Sequence, residues 1–423
     1  MFNLFKNLTG TSKPLDDSPP PQAGESPLPP MKKALALICY NNIDYFSRVL
    51  QSILDQKINS KPFSELYDLY IFQDGLQDRH LSTSKDEHAK VTELAIQAVD
   101  QDHFFLQPQN LGIALHYDFS ERCLFEKNDY EFAVFCEHDM ILGQGYLHEL
   151  NKLADKFRND ERIGMMSMHT SNYLVPVETQ KLNSQKYVGM AHSWGFGMYR
   201  STWQKIRPMV EEYLQLIGDR PYHQRYHRKV IEWLNSKGFG GVATSQDNIK
   251  TCALTGLKAI RLSLFPNFGF YIGAVGAHFT QVNYDEKKYG ESILYNEELP
   301  ECPDLDSTTY EALLSRAEHG LLLKEGDPGT EDAAKIASNN GEKAVPLNMA
   351  SYKIMAEDVV AAYKIFLDRL PENMGVIEPR IGSSSQQLFT SFLLSEEFLN
   401  RKECWPALIK AAQTIVEMNK NKG

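Results

Sequence analysis

The sequence is poor in the features that would make it a secreted, membrane-spanning or nucleic-acid-binding protein. Its six cysteines form no CxxC pair, and the two nearest in sequence are Cys123 and Cys136. Nothing there suggests a disulfide framework. Cys39 and Cys136 fall inside apolar runs, so they read as buried free thiols in a reducing compartment. No run approaches the roughly 18 apolar residues of a membrane span. Residues 1–6 (MFNLFK) are too short, and too polar in their continuation, for a signal peptide. They read as a frayed terminus, with contact to a membrane or partner as the alternative. Basic charge is also scarce: 44 Lys and Arg face 55 Asp and Glu, a net −11. A field of that sign does not attract nucleic acid or other polyanions. The expected location is the cytoplasm, with peripheral contact to the inner face of the membrane left open. No long repeat is visible.

What is present is globular. The 423 residues leave room for two or three domains. Twenty-two Phe and 20 Tyr can supply a large core. Residues 1–30 hold Ser18-Pro19-Pro20-Pro21 and Ser26-Pro27-Leu28-Pro29-Pro30, too little apolar surface to fold, and read as a disordered tether. The main domain is expected over 31–318, a polar linker over 319–350 and a helical module over 351–423.

Within 31–318 the pattern alternates. Ala34–Tyr40 is a continuous apolar run, as in a strand buried on both faces. Tyr45/Phe46, Val49/Leu50 and Ile53/Leu54 form a helical stripe. Strands at Asp68–Phe72, Phe104–Leu106 and Phe132–Glu137 alternate with helices, one at about 84–99. The order β-α-β-α-β-α-β predicts an α/β protein with a mostly parallel sheet and helices on both faces. Such sheets bind ligands at the carboxyl ends of their strands. Three of the four strand ends carry polar groups: Asn41/Asn42, Asp74, and Glu137 with Asp139. Each taken alone reads equally as loop solvation.

The chemistry centres on Glu137-His138-Asp139, set between the apolar strand ending at Cys136 and the apolar run Met140–Leu142. A carboxylate at a buried strand end can hold a hard divalent cation. Such a cation can bridge a diphosphate and neutralise a departing nucleotide. This segment resembles the GT-A glycosyltransferases (family 2-like, and the inverting N-acetylglucosaminyltransferases with a Glu-Asp-Asp triplet). Further stretches resemble the family in the same order over about residues 32–290: Asn41-Asn42, Phe72–Gly75, Asn110-Leu111-Gly112-Ile113-Ala114, Ser193–Gly197, Ser245–Asn248, and Asn267–His278.

The resemblance implies a Rossmann-like nucleotide-diphospho-sugar transferase fold and a role for each position. Asn41, Asp74, Asn110, Gly112, Glu137, His138 and Trp194 would lie around the donor, with Trp194 as a stacking floor or as core. Asp139 would hold Mn2+ or Mg2+, and His278 would complete the metal shell unless it is structural. An Asp–His pair favours Mn2+. His138 departs from the family's acid at the middle position, which puts the donor's identity in doubt and leaves a degenerate, non-catalytic binder open. Asp247 would be the general base of an inverting transfer, against the alternative of a helix N-cap. The basic stretch Tyr222–Lys229 would grip phosphate or line a solvated helix face.

The implied activity is hexosyl or N-acetylhexosaminyl transfer from a nucleotide-sugar, a UDP-sugar by default. The acceptor would be a glycan, a lipid-linked species or a protein. A sugar-nucleotidyltransferase is the competing enzyme, but it would carry a Gly-rich phosphate loop where this chain has Tyr40–Asp44. Residues 358–400, with Tyr363, Arg369, Pro371, Gly375, Ser395 and Phe398, resemble a short bacterial helical module of unknown function found beside glycosyltransferases. That likeness implies a bacterial source and a setting in polysaccharide synthesis.

Overall fold

The structure is a computed structural model that describes residues 29–76, 82–218, 227–240, 243–274 and 281–322, with isolated residues between 359 and 392. The chain divides into two compact units, residues 1–338 and 339–423.

The first unit opens with β1 (Lys33–Cys39), α1 (Ile43–Leu54) and a tight hairpin of β2 (Lys57–Ile58) and β3 (Lys61–Pro62). Next come β4 (Tyr67–Gln73), α2 (Ser82–Ala98), β5 (Phe104–Leu106), α3 (Gly112–Arg122) and β6 (Phe132–Glu137). They are followed by β7 (Met140–Leu142), α4 (Tyr146–Lys156), β8 (Ile163–Ser167), α5 (Val177–Leu182), β9 (Tyr187–Gly189) and β10 (Gly195–Tyr199). The unit ends with α6 (Arg200–Ile217), α7 (His227–Ser236), α8 (Gln246–Gly256), β11 (Ile260–Leu264), β12 (Gly269–Tyr271), α9 (Gln281–Glu286) and α10 (Ser307–Leu321). Helix α10 passes the expected boundary at 318. It is tied in by the Gly240 N–H bonding the Leu321 carbonyl at 2.7 Å.

Eight strands form one sheet in the order β5-β4-β1-β6-β10-β8-β11-β9. β10 and β9 run against the other six. The fold is therefore α/β with a mostly parallel sheet, as the strand–helix alternation predicts. The apolar run of β1 splits cleanly between two cores. Leu35, Leu37 and Cys39 face one hydrophobic cluster with α1, α2 and α4. Ala34, Ala36 and Ile38 face the other, with α3, α6 and α8. A strand covered on both sides has no solvent face to make polar, which is why alternation is absent from its sequence. The stripe on α1 buries Phe46, Val49, Leu50 and Ile53, roughly 2 kcal/mol for each side chain removed from water. Leu54, which the pattern also placed on the stripe, is 45% exposed at the helix end.

The free thiols Cys39, Cys123, Cys136 and Cys252 are buried. Among the described residues no helix is long and apolar enough to cross a membrane. The second unit holds a small cluster of Val359, Ala362, Tyr363, Ile377, Leu388 and Phe392. Tyr363 and Phe392 meet edge to face at 4.8 Å. Most of the helices expected over 352–416 lie outside the described residues, as do the tether before residue 29 and the linker after 322.

Gly197 in β10 pairs with Val134 and has the ring of Phe132, two residues along the same neighbouring strand, where a side chain would point. Gly197→Ala should destabilise the fold by about 1–3 kcal/mol through overpacking. Urea denaturation measures this, and an unchanged midpoint would mean that the Phe132 ring moves aside freely.

Candidate active site

The carboxyl ends of β1, β4 and β6 lie at one edge of the sheet. Ile38 pairs with Glu137, and Cys39 with Gln73. Antiparallel β10 enters at the same edge, with Gly195 opposite Cys136. The Glu137 N–H bonds the Trp194 carbonyl at 2.7 Å, and the His138 N–H bonds the Ile38 carbonyl at 2.9 Å. Register alone thus brings Asn41, Asp74, Glu137, His138, Asp139 and Trp194 to one rim, although they are far apart in sequence.

Their roles on that rim differ. Asn42 caps α1, its side chain accepting the Tyr45 N–H at 2.9 Å. Asn41 lines a cleft of about 260 Å³ with Asn42, Ser84 and Glu87. Asp74 is buried. Its Oδ1 accepts the N–H groups of Gly75 at 2.9 Å and Leu111 at 2.8 Å, and its Oδ2 accepts the Gly112 N–H at 2.9 Å and Asn110 Nδ2 at 3.1 Å. A carboxylate offers about four lone-pair sites, so the protein itself fills Asp74. The carboxylate anchors the Asn110–Gly112 turn to the end of β4. Gly112 takes a φ of +71° in that turn, a conformation that suits glycine. Asn110 gives its amide hydrogens to Asp74 and to the Gly75 carbonyl at 2.8 Å. Burial pushes the Asp74 carboxyl up to about 6, with the three backbone N–H groups pulling it back.

The triplet carries the densest charge. Burial raises the Glu137 carboxyl well above its ordinary value, and the charges of Asp139 and Asp247 raise it further. The Tyr117 hydroxyl donates to Glu137 at 3.1 Å. Burial also raises Asp139, opposed by His138 and by a hydrogen bond from Tyr271. The other oxygen of Asp139, Oδ1, is buried and has no hydrogen-bond partner. A buried acceptor without a partner is costly. Tyr271 reaches Asp139 because β12 pairs with β7, placing Tyr271 opposite Met140. Gly273 stands against Asp139 Oδ2, where any side chain would collide with it. Burial lowers the His138 imidazole, so it stays neutral near pH 7.

Asp247 sits in the first turn of α8. The N-cap is Ser245, whose hydroxyl accepts the Asn248 N–H at 3.3 Å. The cap of α8 is thus Ser245 and not Asp247, whose carboxylate accepts the Gln246 side-chain amide. Burial raises its pKa, opposed by Lys250 and Arg261, while Glu121 raises it further. Lys250 and Glu121 form an ion pair buried beneath it, 3% and 1% exposed. Asp247 opens into a cavity of about 480 Å³ shared with Trp194, His192 and Arg261.

Trp194 is sandwiched. His192 stacks at 4.0 Å and Tyr271 at 3.8 Å, both nearly parallel to the indole. Two rings that close and that parallel must cover opposite faces. Both faces of the indole are thus covered by protein rings, and Trp194 lines the cavity beside Asp247.

His278 lies outside the described residues, as does most of the basic stretch 222–229. Of that stretch, Arg228 is on α7 and pairs with Glu232 at 2.8 Å. Among the described residues no three His, Cys, Asp or Glu side chains are grouped to hold a metal. The sequence reading missed Tyr117, Lys250, Arg261 and Tyr271. A charged residue inside the apolar strand Ile260–Leu264 was the one legible signal, at Arg261. The other three acquire meaning only from strand pairing and helix packing.

No protein-family model and no curated protein matches the chain. Among solved structures, it is similar to a mannosyltransferase from Pyrobaculum calidifontis in complex with GDP-Man and Mn2+, at 13% identity. That match covers 77% of this chain and 80% of the other, with a TM-score of 0.34. It is also similar to a cytidylyltransferase from Leptospira borgpetersenii serovar Hardjo-bovis at 11% identity, covering 49% and 73%, with a TM-score of 0.26.

Asp74→Ala removes the acceptor from three backbone N–H groups at once. It should destabilise the protein by roughly 3 kcal/mol, read by urea denaturation. A loss under about 0.5 kcal/mol would mean that the turn does not depend on this carboxylate.

Proposed function

We propose that this chain is a divalent-metal-dependent, inverting glycosyltransferase that moves a sugar from a nucleotide-sugar, a UDP-sugar first, onto a hydroxyl of a glycan, lipid-linked or protein acceptor. The observation that carries this reading is the pair Asp139 and Asp247: two raised carboxylates at one sheet edge with different surroundings. One keeps a buried oxygen without a partner, and the other opens into a cavity.

The residues present fit a cation. Asp139 Oδ1 is an orphaned acceptor, and Tyr271 holds the carboxylate in place. A hard cation such as Mg2+ is commonly held by one or two carboxylates, with water and substrate phosphates completing its shell. Asp139 would hold it, with His278 as a further ligand. When bound, Mn2+ or Mg2+ supplies positive charge to the diphosphate of the leaving nucleotide. Glu137 and His138 border the donor, and the neutral imidazole offers one donor and one acceptor. Asn41, Asn110 and Gly112 shape the nucleotide side of the rim.

Asp247 accepts the proton of the acceptor hydroxyl as that oxygen attacks the anomeric carbon and the bond to the diphosphate breaks. Burial gives this carboxylate a higher proton affinity than an exposed one, which suits a base working near neutral pH. Lys250 and Arg261 oppose that rise. Attack from the side opposite the leaving group inverts the anomeric centre.

Three outcomes follow. Asp139→Asn should abolish Mn2+-dependent UDP binding measured by calorimetry, and unchanged affinity would remove Asp139 from the metal site. Asp247→Asn should leave UDP binding intact and cut transfer about 100-fold or more. In the native enzyme the acid limb of kcat should fall above the 3.8 of an ordinary aspartate, because protonation of a raised carboxylate begins at higher pH. Full activity in Asp247→Asn would return this residue to a structural role.

A further inference from the structure

The cavity beside Asp247 is positive, although the protein is not. Its wall carries one carboxylate, Asp247, and two guanidinium groups, Arg261 on β11 and Arg316 on α10. The chain as a whole has a net charge of −11. Two arginines outside any ion pair of the described residues, facing the same space, are therefore not a sample of its average surface.

Arg261 is held in a fixed pose. One terminal nitrogen donates to the Thr251 hydroxyl at 2.9 Å and the other to the Ser193 hydroxyl at 3.0 Å. Its Nε is buried and has no partner. A guanidinium has five N–H donors, so three of them find no acceptor among the described residues. No carboxylate of the described residues lies within ion-pair distance of Arg261 or Arg316, whereas Arg122, Arg158, Arg162, Arg200, Arg207 and Arg228 all have one. Burial lowers the Arg261 pKa, and Asp247 offsets this only in part. A desolvated guanidinium whose charge is only partly answered is costly unless a ligand supplies further counter-charge. The first turn of α8, with Ser245 and Asn248, adds its positive dipole end to the same wall.

We propose that this cavity receives an anionic acceptor sugar, with an oxyanion, carboxylate or phosphate, seated against Arg261 and Arg316. Planar guanidinium groups match such oxyanions bidentately. The inference rests on the reading of Asp247 as the base, because that reading makes the cavity the acceptor side. With the anion held by the arginines, a ring hydroxyl is presented to Asp247, and a neutral sugar would leave the guanidinium groups unpaired. The cavity's size suits one or two sugar units.

The test is direct binding to the full chain, without metal or nucleotide. Methyl β-D-glucuronide, glucose 1-phosphate and neutral methyl β-D-glucoside are compared by saturation-transfer NMR and calorimetry. At least one charged ligand should bind and the glucoside should not, and which charged ligand wins separates carboxylate from phosphate. Arg316→Ala, at an exposed helix position, should fold normally and weaken the charged ligand about tenfold or more. Arg261→Lys tests the buried group and is read only after its folding is checked. The proposal falls if the glucoside binds as well as the charged ligands, if no sugar binds, or if Arg316→Ala leaves the charged ligand unaffected. UDP titration with Mn2+ on the same variants keeps the two readings apart. Loss of UDP binding in Arg316→Ala would move the arginines to the donor and overturn the acceptor assignment. Intact UDP binding with no sugar binding would sink this inference alone.

Discussion

Burying charge is costly, and this sheet buries a good deal of it at one edge. Glu137, Asp139 and Asp247 all lie where desolvation raises their proton affinity. The structure tolerates them because each is answered differently. Tyr117 donates to Glu137, Tyr271 holds Asp139, and the Lys250–Glu121 pair and Arg261 set the field at Asp247. Replacing such groups with apolar ones would commonly leave a protein no less stable. A cluster of this kind at the strand ends of an α/β sheet therefore marks a candidate site rather than a source of stability.

The same edge shows how one residue type serves two ends. Asp74 and Asp139 both follow buried strands. Asp74 accepts three backbone N–H groups and the Asn110 side-chain amide, and so holds the start of α3 in place. Asp139 leaves one oxygen without any partner. The first holds the chain in place, and the second keeps an acceptor to spare. Only the placement of neighbouring N–H groups separates them. Trp194 teaches the same lesson, because an indole covered on both faces cannot offer a face to a sugar.

The arginine-lined cavity opens beside Asp247 and Trp194. Its positive wall is built from β11, α8 and α10, elements separated by tens of residues in sequence. The proposed acceptor preference thus lies in helix and strand packing rather than in any contiguous motif.

The sequence by itself determined the fold class and most of the rim. A strand buried on both faces must be apolar throughout, so β1 and β6 were legible, and the polar residues that end them marked the ligand edge. The triplet Glu137–Asp139 and the first turn of α8 could be found the same way, because spacing along one chain is visible in one chain. The tertiary structure alone decided what those groups do. Hydrogen bonding filled Asp74, stacking closed Trp194, Ser245 took the cap from Asp247, and pairing of β12 with β7 brought Tyr271 to Asp139. Each outcome depends on distances between residues remote in sequence, and such distances are set by packing.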